Sequence, residues 1–325
     1  MKRLAFIAGV ILTSLTAALS QQHAPPLISF QANPRPVTLP DGTYLGEVAG
    51  VAVNSKGHIF VFNRGTRTQL MEFNPDGSFV RFIGNDLYGF SFAHVVRIDK
   101  DDNIWCVDEG SNMVIKFSPA GEVLLVLGRK PESVEAAAAG DPPRPPRPEW
   151  FNRPTDVAWD ADGNIFVADG YGNSRVAKFD KDGNFLKAWG QRGSAPGEFH
   201  LLHSLAIDNS GRVYVGDREN KRIQIFDGEG KFLAQWTQAG APWAICITPG
   251  PNQYLYSSDS DATGRIYKLD LQGNVLGYFG SKGKRSDQFG WVHEISCPSE
   301  NELYLGEILN WRVDKLTLSP THSGE

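Results

Sequence analysis

"FHLLHSLAIDNSGRVYVGDRENKRIQIFD", residues 199–227, carries the fold. Apolar and polar residues alternate, the chain turns at Asn209-Ser210-Gly211, and the alternation resumes. A period of two on both arms of a glycine turn is the pattern of a half-buried β-hairpin. Two features exceed what a structural hairpin needs. His203 stands at the mouth of the first arm, and the pair Asp217-Arg218 closes the second.

The same pattern recurs along the chain: an apolar strand, a Gly turn, a strand ending in an acid, a short loop, then a second hairpin. Copies begin at Gly50, Val95, Asp156, Ser204, Ala244 and Glu294. Each of the first five holds four strand-like segments, the content of a propeller blade. The sixth has three, and "LISFQANPRPVTL" (Leu27–Leu39) is a candidate for its missing strand. Pairing the two ends would close the ring and remove an exposed edge. The expected fold is all-β: a six-bladed β-propeller of NHL-type repeats over residues 21–325, closed by an N-terminal strand. An insertion, residues 129–150, leaves and re-enters on one face and is expected to overhang it.

Composition agrees. The chain has 325 residues with 34 glycines and 11% aromatics, which favours short strands and turns over helices. A net charge of −5 excludes the basic stripe of a nucleic-acid surface. Met1-Lys2-Arg3, an apolar run and the small residues Ala18 to Ser20 read as an export signal over residues 1–20. That run is short for a membrane span. The expected location is therefore periplasmic or secreted. Cys106, Cys246 and Cys297 each lie in an apolar strand pattern and are expected to fill the core rather than form a disulfide or bind metal.

The first strand of a propeller blade is innermost, so residues preceding it ring the channel mouth. Blade by blade they are Ala49, His94, Thr155, His203, Trp243 and His293. Histidine occupies alternate blades. With blades about 60° apart, three imidazoles would converge at one level with roughly threefold symmetry. Three nitrogen ligands with an open fourth position make a catalytic zinc site, although three imidazoles also suit copper, nickel and iron. The loops between strands two and three bring Arg64, Tyr171 and Arg218 to the same face. Two arginines beside a cation imply a ligand bearing carboxylate or phosphate. Arg175, Arg222 and Arg312, each two residues after an Asn, read as repeated structural contacts, and Phe90, Phe151, Phe199 and Phe289 as repeated packing residues. His58 lies on the opposite face, His200 is out of register, and His23 and His322 are in the tails.

The repeats resemble NHL repeats, and "PTDVA…VADGYGNSR…FHLLHSLAI…DRENKRIQ" resembles the peptidyl-α-hydroxyglycine α-amidating lyases from about Gly46 to Leu318. These lyases split a peptide ending in α-hydroxyglycine into a peptide amide and glyoxylate. The resemblance implies that His94, His203 and His293 bind zinc, that Tyr171 is the catalytic tyrosine, and that Arg64 and Arg218 are active-site arginines. It also implies a structural calcium in the channel, held by the carbonyls of Val51 and Val96 and by Glu294, where the animal enzymes have Asp. Other departures are Gly172 in place of a loop cysteine, Trp291 in place of a methionine, and the long insertion.

The residues leave three functions open. One is a zinc lyase acting on an N-acyl or peptidyl α-hydroxyglycine, a small-molecule or peptide substrate with a carboxylate. Another is a metal-dependent hydrolase or lactonase, since a three-histidine zinc can also deliver hydroxide. The last is a non-catalytic exported binding propeller.

Overall fold

The arms of residues 199–227 form the expected antiparallel hairpin: β14 (Leu202–Ile207) pairs with β15 (Val213–Asp217). Strands β16 (Arg222–Phe226) and β17 (Phe232–Trp236) complete the sheet. The computed structural model describes residues 24–87, 89–130 and 148–319, and these form six such four-stranded sheets. The other innermost strands are β2 (Glu47–Val53), β6 (Ala93–Ile98), β10 (Asp156–Trp159), β18 (Pro242–Ile247) and β22 (Val292–Ser296). The protein is a six-bladed β-propeller.

Closure is as expected from the sequence. In the sixth blade β22 is followed by β23 (Glu302–Glu307) and β24 (Arg312–Leu318), and β1 (Phe30–Asn33) pairs outside β24, Phe30 opposite Leu318. The chain just before β1 also grips blade five: Ile28 N–H donates to Tyr278 O at 2.8 Å, and Tyr278 N–H to Pro26 O at 3.0 Å.

The core lies between blades. Phe62 and Leu70 of blade one pack with Ala93, Ile104 and Phe117 of blade two, and Phe166 and Val176 of blade three with Phe199, Leu205 and Phe226 of blade four. Burying each such phenylalanine contributes about 1.5–3 kcal/mol. The repeated Phe151, Phe199 and Phe289 are buried in these seams, with Phe90 packed against one.

Each acid ending a blade's second strand is buried and ties the preceding linker to the following loop. Asp217 accepts from His200 N–H at 2.7 Å and from Arg222 Nε at 2.7 Å. Asp169 accepts from Asn152 N–H at 2.8 Å and from Arg175 Nε at 3.0 Å. Glu307 accepts from Arg312 Nε at 2.6 Å. The three arginines following Asn are thus structural, and Asp217 belongs to the scaffold while its neighbour Arg218 is left to face the site.

One expectation fails. Cys246 and Cys297 form a disulfide, Cα to Cα 6.1 Å, and Cys106 alone is a free buried thiol. The inner strand of blade five meets the inner-strand end of blade six, which brings two residues distant in sequence to bridging range. The signal residues 1–20, His23, His322 and residues 131–147 of the insertion lie outside the described residues. Among the described residues no helix is long and apolar enough to cross a membrane.

Candidate metal centre

A β-bulge builds the site. In blades two, four and six the pairing register slips at the start of the innermost strand, between Ala93 and Val95, Leu202 and Ser204, and Val292 and Glu294. The residue left out of the ladder is in each case the histidine; blades one and five slip at the same place, Val48/Gly50 and Pro242/Ile245, so the bulge belongs to the repeat and the histidines make use of it. An unpaired bulge residue can aim its side chain away from the sheet normal, here toward the axis. In blades four and six the strand is entered through a left-handed residue, Leu201 at φ 68° and Trp291 at φ 54°. Such a backbone at a bulky side chain costs about 1–3 kcal/mol and persists only where the surroundings enforce it.

The three imidazoles converge, with ring centroids 4.5–4.8 Å apart. One ligand atom from each lies within 4.8 Å of the others, and all three residues are buried. Two of them are fixed from behind. His203 Nδ1 donates to Trp243 O at 2.6 Å and His293 Nδ1 to Ala49 O at 2.8 Å. The backbone of Thr155 acts on His94 in the same sense, although Nδ1 of His94 lacks a hydrogen bond of ordinary geometry. Ala49, Thr155 and Trp243 are the register residues of the intervening blades, so each histidine leans on the next blade round the ring. A proton on Nδ1 leaves Nε2 as the ligand atom. Nε2 of His94 and of His203 is buried with no protein partner.

Electrostatics keep the imidazoles neutral. Burial pushes all three well below their usual pKa, and the neighbouring imidazoles, Arg64 and Arg218 add to the effect. Metal ligands must be deprotonated to bind. The orphaned Nε2 atoms of His94 and His203, the Nδ1 anchors of His203 and His293 and the depressed basicity of all three rings together fit a transition-metal ion.

Tyr171 lies beside the cluster, its ring 5.9 Å from that of His94 and 6.3 Å from that of His203. The protein groups alone do not acidify it: burial and Glu109 raise its pKa, against Arg218, Arg64 and Arg153. Arg64 is nearly buried, its guanidinium over Phe92 at 3.9 Å, with one terminal nitrogen lacking a hydrogen-bond partner. Arg218 lies over Trp243 at 4.3 Å and forks onto Glu219 Oε1 at 3.0 and 2.8 Å. The expected tyrosine and arginines therefore gather around the histidines; Arg64 is also held by the carbonyl of Ala93 at 2.5 Å and lies 3.5 Å from Glu47.

Glu109 and Arg153 escaped the sequence reading. Glu109 is buried, 4.0 Å from His94 Nε2 and 3.7 Å from Arg64, and accepts from Arg153 Nε at 2.7 Å. Arg153 covers the Tyr171 ring at 4.4 Å. Glu109 had a legible signal, since it follows the strand-ending acid Asp108 as Arg218 follows Asp217. Arg153 had none.

A protein cation competes for the expected calcium position. Strands β2 and β6 do come close there: a Cβ on Gly50 would meet Val96 N at 2.6 Å. Glu294, however, is buried with its Oε1 2.9 Å from the guanidinium of Arg97. A protein cation therefore stands beside the carboxylate meant for the ion, although neither Glu294 oxygen accepts a hydrogen bond.

A family model described as a 6-bladed beta-propeller matches residues 152–287. The chain is 28% identical over 308 residues to a probable peptidyl-alpha-hydroxyglycine alpha-amidating lyase of Caenorhabditis elegans, covering 84% of this chain and 83% of that protein. It is 29% identical over 326 residues to a peptidyl-glycine alpha-amidating monooxygenase of Mus musculus, covering 86% of this chain but 31% of the longer mouse protein. Among solved structures, virginiamycin B lyase of Staphylococcus aureus superposes with a TM-score of 0.61 at 14% identity, over 90% of this chain and 100% of that one, a likeness of fold. The resemblance read from the motifs thus extends along most of the chain: this is a six-bladed β-propeller similar to the peptidyl-α-hydroxyglycine α-amidating lyases.

Proposed function

We propose that the protein is a metal-dependent lyase that splits the C–N bond of an N-acyl or peptidyl α-hydroxyglycine, giving an amide and glyoxylate. The observation that carries this reading is the convergence of three buried imidazoles, two of them anchored from behind, beside Tyr171 and the Arg64 guanidinium. His94, His203 and His293 hold the ion, zinc by resemblance, and it supplies Lewis acidity toward a substrate oxygen.

The chain's own groups do the rest. Arg64 takes the substrate carboxylate with the terminal nitrogen that donates no hydrogen bond and lies 3.7 Å from Glu109, and Arg218 on Trp243 flanks the other side. Tyr171, as phenolate, accepts the carbinol proton. The O–H electron pair becomes the C=O bond of glyoxylate, the C–N pair passes to nitrogen, and that nitrogen takes a proton, so atoms and charge balance. Arg218, Arg64 and Arg153 pull toward the phenolate without outweighing burial and Glu109, so its formation would rest on the bound ion. An export signal would place this reaction outside the cytoplasm.

Mass spectrometry of the products of a peptidyl-α-hydroxyglycine tests the reading. Peptide amide and glyoxylate in equal amounts support it. Intact substrate, with turnover of a lactone instead, would move the same site to hydrolase chemistry.

A further inference from the structure

Just past the histidine level, one residue on at Asp156 and Glu294 and three residues on at Arg97, lies a second charge cluster. Arg97 of β6 reaches across to blade three: its Nε donates to Asp156 Oδ1 at 3.0 Å and a terminal nitrogen to Oδ2 at 2.6 Å. Its other terminal nitrogen lies 2.9 Å from Glu294 Oε1 of blade six, an ion pair by charge alone, since neither Glu294 oxygen accepts a hydrogen bond. The carbonyl of Ile245, in blade five, is 3.4 Å away. Asp156 Oδ2 also accepts from the Leu205 N–H of blade four at 2.8 Å. Both carboxylates are buried. One guanidinium and its counter-ions therefore join blades two to six near the axis.

We propose that Arg97 serves as the channel's own structural cation, in the place where a divalent ion would otherwise neutralise the inner-strand acids. The chain then needs one metal, at the histidines, and its fold is independent of calcium. Calcium takes six to eight oxygens at about 2.3–2.6 Å. Here the fork occupies both Asp156 oxygens and Arg97 faces Glu294, so an ion would have to share that carboxylate with a fixed positive charge. The planar fork suits this duty, matching a carboxylate in two parallel hydrogen bonds. A cavity of about 310 Å³ on the face opposite the histidines, lined by Val51, Val96, Arg97, Cys246 and Cys297 among others, gives solvent access to the guanidinium. Removing the side chain would leave an accessible space bounded by two carboxylates and the strand backbones. The inference stands on these contacts and is independent of the lyase reading.

Thermal unfolding and calcium content of the full chain, in EGTA and in millimolar calcium, test it. The unaltered protein should unfold within ~1 °C of the same temperature in both and retain no calcium after dialysis. Arg97→Ser should unfold about 10 °C lower in EGTA, bind one calcium per chain, and recover much of the loss. Arg97→Lys, which keeps the charge without the fork, should fall less and ignore calcium. Unaltered protein that carries calcium and gains several degrees from it overturns the proposal. So does an Arg97→Ser chain that neither loses stability nor binds the ion. Should Arg97→Ser fold in neither buffer, the measurement on the unaltered protein decides alone.

Discussion

His203 Nδ1 donates to the carbonyl of Trp243 at 2.6 Å, a bond between two blades made by residues at the same repeat position. It turns a structural feature of the propeller into an orienting device: the bulge frees the imidazole, and the neighbouring blade sets its rotation. The same logic at His293 and Ala49 makes the site a property of the ring. No single blade could present it.

Tyr171→Phe removes one oxygen and leaves the ring beside His94. Loss of a general base typically lowers turnover about 10²–10⁴-fold. Metal content by elemental analysis should be unchanged, because the phenol does not orient an imidazole. Undiminished turnover in that variant would take Tyr171 out of the mechanism.

The register of residues before each inner strand made the fold and the three histidines legible. A period-two pattern interrupted at one repeat position survives any detail of packing. What made that position chemically useful, the bulge at His94, His203 and His293, was not legible, since a one-residue slip leaves no mark in composition. Cys246 and Cys297 were misread for a related reason: each looks like core along its own strand, and only the angle between blades five and six brings them together. Arg97 reads as an ordinary polar position of a strand until Asp156 and Glu294 appear opposite it from other blades.

The two arginines should separate. Arg64 has a buried nitrogen that donates no hydrogen bond, although Glu109 is 3.7 Å away, whereas Arg218 forks onto Glu219. Arg64→Gln should raise KM for a carboxylate-bearing substrate about 10–100-fold, the worth of a charge-assisted hydrogen bond, and Arg218→Gln less. Steady-state kinetics with the carboxylate substrate and its amide analogue measures the difference, and equal effects on both substrates would contradict the carboxylate role.

Acid should dismantle the centre. The folded imidazoles have depressed pKa values, while unfolded histidine titrates near about 6.5. Above that value neither state takes up protons at these positions. As pH falls below it the unfolded chain gains protons that the folded chain resists, so stability declines toward the folded pKa values. Metal retention should weaken over the same range. Melting temperature and bound metal measured from pH 8 to 5 should fall together, and a flat profile would contradict neutral histidine ligands.

Reducing the Cys246–Cys297 bridge opens a loop with a sequence separation of 51 residues, worth about 2–4 kcal/mol by chain entropy. Cys246→Ser with Cys297→Ser should lower the melting temperature by several degrees yet leave metal content intact. The bridge tightens two inner strands beyond the histidines and touches none of them. Loss of metal in that variant would show that the two ends of the channel are coupled.

The most direct measurement is glyoxylate release from α-hydroxyhippurate by metal-stripped protein as zinc is added back, with His203→Ala alongside. The account predicts activity rising in proportion to bound metal and saturating near one ion per chain, with none from the alanine variant. Release that persists in the stripped protein, or from His203→Ala, would contradict a metal centre built on His94, His203 and His293.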